Sequence, residues 1–187
     1  ITPLQIMNDI KGVPKDTIIC KVDGQLTDLS SNLNKNCELQ FMDAKSKDGH
    51  SVLLHSTAHL MAQAVKRLFP KTKVTIGPFL ENRFYYDFDV NSPFTEDDLL
   101  EIENEMMKIS EENLEISHQE KSRNEALAFF EKIDESYKVE IINDLDKDET
   151  LKVYSQGEFT DLCRGPHVHS TGQIKHFKIL SSSAAYW

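Results

Sequence analysis

Residues 43–70 run Asp43-Ala44-Lys45-Ser46-Lys47-Asp48-Gly49, then His50-Ser51-Val52-Leu53-Leu54-His55-Ser56-Thr57-Ala58-His59-Leu60, and on through Lys66-Arg67-Leu68-Phe69-Pro70. The stretch from Asp43 to Gly49 is polar and reads as a linker. From about Val52 to Phe69 the chain reads as a helix, closed by Pro70, whose ring disfavours helical backbone just before it. This pattern divides the chain into a small module over residues 1–43 and a larger domain over residues 44–187.

Upstream, Thr2-Pro3 reads as an N-cap followed by proline at the first helical position. Leu4, Met7 and Ile10 form an apolar stripe, and Gly12 supplies a stop. Thr17 to Val22 is β-branched and strand-like. Asp23-Gly24 marks a tight hairpin turn into a short strand over 25–27, and a further strand is expected over 38–42. Such an α+β module of about 45 residues is marginal in size by itself. Downstream, strands are expected over 73–76 and 84–90. Thr95 and Asp98 form a capping-box pattern for a helix to about Glu112, with Leu99, Ile102, Met106 and Ile109 on one face. Leu114–Glu120 alternates like a strand, and Ser122 with Glu125 opens a second capped helix through Phe130. A short helix is expected over 137–143, and strand-like runs over 151–154, 159–162 and 174–180. The fold class is therefore α+β.

At 187 residues the chain suits one ordinary domain plus a small module. Apolar residues at 39% and charged residues at 28% permit a packed core and argue against global disorder. No run approaches the roughly 20 apolar residues of a membrane span, and no basic-then-apolar leader opens the chain. Its first residue is Ile1 rather than Met, as expected of a fragment. Three scattered cysteines, Cys20, Cys37 and Cys163, form no disulfide framework and point to a reducing cytoplasm. The net charge of −10 argues against a broad nucleic-acid-binding surface. The acids concentrate over 96–115 and 144–149, however. Local basic groups at Lys66, Arg67, Lys71 and Lys73, at Lys121 and Arg123, and at Lys175 and Lys178 leave room for a grip on the end of an RNA.

His55 and His59 stand four apart on the expected helix, so their rings share a face. Cys163 and His167 are also four apart, but Gly165-Pro166 between them implies a strand-to-loop turn. Converged, the four side chains could hold zinc, or bind a substrate and its attacking water without metal. Ser56 stands where a metalloprotease HExxH pattern needs glutamate. His50, His118, His169 and His176 read as surface or locally bonded residues. One of Tyr85 and Tyr86 belongs in the core and the other faces a cleft.

His55-Ser-Thr-Ala-His59-Leu60, Ile76-Gly77-Pro78, Phe84-Tyr85-Tyr86-Asp87, Asp161-Leu-Cys163-Arg164-Gly165-Pro166-His167, His176-Phe-Lys178 and Ala185-Tyr186-Trp187 occur in this order. Together they resemble the N-terminal part of bacterial-type threonyl-tRNA synthetases, including the editing domain that these enzymes share with alanyl-tRNA synthetases. The resemblance covers essentially the whole chain. It implies a β-grasp, ubiquitin-like TGS module over 1–43 without its opening hairpin, then an editing domain over 44–187. Trp187 would fall before the class II ligase core, which would hold the ATP and zinc sites and, in the full-length enzyme, the contacts of a homodimer.

The implied activity is hydrolysis of the ester joining serine to the terminal adenosine of tRNA(Thr). Serine lacks one methyl of threonine, and a difference of that size supplies only about 1–3 kcal/mol of discrimination. Lys138 matches the family's active-site lysine and, with His55, is the expected catalytic pair. Substrate contacts fall to His59, Asp161, Cys163 and His167, and to Tyr86 as a stacking partner for the adenosine. The resemblance implies editing without cofactor or metal at this place. The alanyl relatives use an analogous His/His/Cys/His set for zinc, here His55, His59, Cys163 and His167. Two alternatives stand beside this reading: a free-standing or alanyl-type zinc-dependent trans-editing hydrolase, and a non-catalytic tRNA-binding module.

Overall fold

The computed structural model describes residues 1–147 and 149–184. Helix α1 (Pro3–Asp9) starts at a reciprocal capping box between Thr2 and Gln5. Strands β1 (Thr17–Val22), β2 (Gln25–Thr27) and β3 (Leu39–Asp43) form an antiparallel sheet in the order β2-β1-β3. Helix α2 (Lys47–Leu68) follows at once. The polar stretch expected to be a linker is thus half helical. Ser46 is the N-cap, its hydroxyl accepting from the Gly49 amide, so the first turn of α2 starts inside that stretch.

Four two-residue strands, in two pairs, come next. Strand β4 (Lys73–Val74) pairs with β7 (Phe88–Asp89), and β5 (Phe79–Leu80) pairs with β6 (Arg83–Phe84) in a hairpin against α2. Helix α3 (Glu96–Glu112) opens on the expected Thr95/Asp98 box and buries Ile102, Met106 and Ile109. Strand β8 (Ile116–Lys121), helices α4 (Arg123–Lys132) and α5 (Ser136–Asp144), and strands β9 (Leu151–Gln156) and β10 (Phe159–Leu162) complete the order. The sheet runs β10-β9-β8, antiparallel throughout. Strand β9 is buried on both faces. Leu151 and Val153 meet Ala126, Phe130 and Ile142 of α4 and α5, while Tyr154 turns to the main core.

Two expectations are corrected here. The run 174–180 forms no strand; its only regular piece nearby is a 3₁₀ turn over Thr171–Gln173, and Lys178 and the Ile179 amide instead bind Glu103 of α3. The 84–90 strand is broken between β6 and β7, because Tyr86 turns inward between them.

The apolar core runs across residue 43 without a break. Ile18 and Ile19 of β1 are buried in one cluster with Val52, Ala58, Leu60 and Val65 of α2 and with Met106, Tyr154 and Ile174. The sequence pattern divides the chain at Asp43, but its packing does not: the first 43 residues use α2 as a wall, as a sheet of three short strands has too little apolar area of its own. Among the described residues no helix is long and apolar enough to cross a membrane.

Candidate functional site

Helix α2 carries His55 and His59 one turn apart on the face turned toward the end of β10. Strand β10 delivers Cys163 just past its last residue, and the loop after it returns His167 under the same helix face. The ligand atoms of His55, His59, Cys163 and His167 lie within 4.8 Å of one another. Cys163 Sγ is 3.3 Å from His55 Nε2 and 3.3 Å from His167 Nε2. The ring of His167 stands 4.3 Å from that of His59 and 4.5 Å from that of His55. His59 and His167 are buried, whereas His55 and Cys163 are partly open, so the cluster has one accessible side. The exposed Phe79 of the β5–β6 hairpin borders that side, its ring 6.1 Å from His55.

Behind His59 lies a second group of partners. Asp161 of β10 places Oδ2 3.7 Å from His59 Nδ1 and accepts the Tyr86 hydroxyl at 2.5 Å. Lys138 of α5 brings its ammonium 2.6 Å from Asp161 Oδ1 as an ion pair. Its well-directed hydrogen bonds go instead to the Thr75 carbonyl at 2.5 Å and the Tyr86 oxygen at 3.1 Å, which leaves Oδ1 without a directed donor. Sequence alone favours a solvated Lys138. It is only 2% exposed, because α5 packs its first turn against β4.

Tyr86 is also placed differently from the stacking role expected of it. It is buried, its ring already stacked on Phe88 at 5.1 Å, and Gly77 lies so close that a Cβ there would come within 2.2 Å of the ring. No open face is left for a base. Tyr85 is the partner that faces outward, at 38% exposure.

Burial controls the electrostatics. It lowers the basicity of His59 and His167 well below that of free imidazole, with the neighbouring histidines adding to the effect and Lys138 adding at His59. His55 is lowered too, with Asp161 and Asp28 opposing the desolvation. The three rings are therefore neutral near pH 7, each able to accept one hydrogen bond and donate another. Burial pushes the Cys163 thiol up to about 12. Such a thiol lines the site but is no thiolate nucleophile by itself.

The structure thus brings together all seven residues singled out in the sequence: His55, His59, Cys163 and His167 in the cluster, with Asp161, Lys138 and Tyr86 at its back. Sequence reasoning missed Ser56, whose hydroxyl sits 3.0 Å from His167 Nδ1 and accepts from the Val168 amide. Its place between the two histidines was the available signal. It also missed Thr75, which acts only through its carbonyl, and Tyr154, whose ring lies 4.6 Å from that of His167. His118, expected at the surface or in local bonds, instead has Nδ1 3.5 Å from Asp28 of the first 43 residues. Ala185-Tyr186-Trp187 lie outside the described residues.

Known sequences align with this arrangement. Residues 151–185 match the family described as the threonyl and alanyl tRNA synthetase second additional domain. Over 92% of its length the chain is 52% identical to a threonine–tRNA ligase of Symbiobacterium thermophilum. It is 49% identical over 95% of its length to one from Alkalilimnicola ehrlichii, and 47% over 100% to one from Hahella chejuensis. The chain spans 27%, 28% and 30% of the length of these three relatives. Nearly the whole chain is thus similar to one part of threonine–tRNA ligases, and its residues 151–185 match the second additional domain.

Proposed function

We propose that this chain hydrolyses the ester of mischarged seryl-tRNA(Thr), acting as the proofreading part of a threonine–tRNA ligase. One observation carries the reading: two histidines of α2 and the Cys163–His167 loop, far apart in sequence, meet in one half-open cluster backed by a buried Lys138–Asp161–Tyr86 set. The likeness to threonine–tRNA ligases supplies the substrate class.

Water enters from the open side and meets His55 first. Its neutral ring accepts a proton from water as the oxygen attacks the ester carbon, and gives it to the leaving ribose oxygen as the acyl–oxygen bond breaks, which releases serine and the free tRNA end. The remaining imidazoles donate to ribose hydroxyls or to the developing oxyanion. Lys138 supports these steps through Asp161, pairing with its Oδ1 while Oδ2 stands 3.7 Å from His59 Nδ1. Phe79, not Tyr86, offers an exposed ring near the cluster on which the terminal adenine can stack. Residues 1–43 correspond in this reading to the ubiquitin-like module of such enzymes.

A zinc-assisted variant is favoured by a specific observation. The Sγ–Nε2 separations of 3.3 Å are near the ~3.5 Å edge of a tetrahedral zinc site, and Ser56 and Asp161 stand behind two of the rings as outer partners. His55, His59, Cys163 and His167 fit as its holders, and bound zinc would supply Lewis-acid charge and a more acidic water. The metal-free reading is retained as the primary one, as in the threonyl editing domains the chain resembles.

Deacylation of seryl-tRNA(Thr) and threonyl-tRNA(Thr), followed side by side, tests the proposal. Release of serine with threonyl-tRNA largely spared is the expected result. Equal rates on the two esters contradict proofreading directed at serine, and no release of serine removes the hydrolase.

A further inference from the structure

Asp28 follows β2 and belongs to the first 43 residues, yet it is only 5% exposed and its carboxylate points at the candidate site. Oδ1 accepts the backbone amide of His167 at 2.8 Å, across 139 residues of sequence. Oδ2 accepts the Tyr154 hydroxyl at 2.8 Å, with His118 Nδ1 3.5 Å away. Tyr154 in turn lies directly under Gly165. That residue has φ +69°, and a Cβ there would fall 1.9 Å from the Tyr154 oxygen, so only glycine fits over the phenol. The Gly165 amide donates to Cys163 Sγ at 3.2 Å.

One carboxylate therefore holds the Cys163–His167 loop at two points: directly at His167, and through Tyr154 at the glycine whose amide fixes the Cys163 sulfur. A buried carboxylate is costly unless its oxygens are fully engaged, and here both are engaged toward the site. Local packing of the small sheet has no use for them.

We propose that Asp28 is a positioning residue for the hydrolytic site, through which the first 43 residues hold Cys163 and His167 in register with His55 and His59. This rests on the hydrolase reading above. Asp28 touches no reacting atom. Its effect is to keep the two 3.3 Å contacts of Cys163 from loosening, and misplacement of about 1 Å at such a centre costs up to roughly 100-fold in rate.

The test compares Asp28→Ala, Asp28→Asn and Tyr154→Phe in this chain by steady-state deacylation of seryl-tRNA(Thr), thermal unfolding and amide exchange at His167. Asp28→Ala is expected to lower kcat by about 10- to 100-fold with KM nearly unchanged, and to speed exchange of the His167 amide. Asp28→Asn is expected to recover most of both, since its amide oxygen still accepts from His167 and its NH₂ can donate to the Tyr154 oxygen. Tyr154→Phe is expected to fall between them. Native kcat in folded Asp28→Ala, or Asp28→Asn as slow as Asp28→Ala, overturns the proposal. Should Asp28→Ala not fold, Asp28→Asn and Tyr154→Phe decide: slow exchange at His167 in the first and reduced kcat in the second support it, and their reverse overturns it. If the native chain releases no serine, the hydrolase reading fails, while exchange at His167 still judges the anchor.

Discussion

Replacing Lys138 by methionine separates the two things this residue does. Its side chain is 3% exposed and that of Asp161 2%, with 2.6 Å between the charges. Methionine fills much of the same volume, so the change leaves a buried carboxylate without its cation more than it leaves a cavity. Removing one partner of a buried pair costs about 3–5 kcal/mol. For a chain of this size each kcal/mol shifts Tm by about 2–4 °C, so a fall of about 6–20 °C is expected. The second variant, Asp161→Leu, and the double variant complete a cycle. The double variant should be more stable than the sum of single losses predicts, by about 1–3 kcal/mol, because it leaves no unpaired charge. Thermal unfolding followed by circular dichroism reads this. Seryl-tRNA deacylation, measured well below the lowered Tm, reads the chemistry, where kcat should fall more than KM rises. A Tm within about 2 °C of native, or strict additivity, would show that the pair carries no structural weight and refute the reasoning. Native kcat in Lys138→Met would remove the residue from the mechanism.

Arg67 joins Glu105 and Glu112 of α3 to Glu158 of the β9–β10 turn. Its hydrogen bonds hold the Glu158 carboxyl down at about 2, against 4.5 for an ordinary glutamate. That shift corresponds to about 3 kcal/mol before screening, and because Glu158 is 57% exposed we expect only about 1–2 kcal/mol from Arg67→Met in urea unfolding. A depressed acid stabilises the fold above its unfolded value and loses that contribution as pH falls toward the folded one. The gap between native and variant should thus be constant above about pH 5 and shrink between about 4.5 and 2; a gap that grows on acidification contradicts the assignment. Gly77→Ala should push Tyr86 off Asp161 and reduce turnover, since its Cβ meets the ring at 2.2 Å; unchanged kinetics would show that the Tyr86 hydroxyl is dispensable. Phe79→Ala should raise KM for seryl-tRNA and spare kcat, whereas Tyr86→Phe should lower kcat; the opposite split would return the stacking role to Tyr86. Chelator-treated chain should retain deacylation, and about one zinc per chain lost together with activity would establish the zinc-assisted variant instead.

Much was legible from local patterns, and for a local reason. Thr95 with Asp98 and Ser122 with Glu125 start helices by bonds three residues long, and Asp23-Gly24 turns a hairpin between adjacent strands. The site residues were legible from the joined motifs, since His55 and His59 share a helix face whatever surrounds it. Other features depend on partners far along the chain and left no such mark. Ser46 extends α2 into a polar stretch that composition alone reads as linker. Burial of Lys138 and Tyr86 follows from where α5 and β4 meet, which no spacing in either segment records. The division at residue 43 is real as a sequence pattern, yet β1 lacks area to bury alone and shares the core of α2. Asp28 shows the limit most clearly: an aspartate after a short strand looks like any loop acid. Only the folding of β10 and its loop against that strand, 139 residues later, turns it into the anchor of His167.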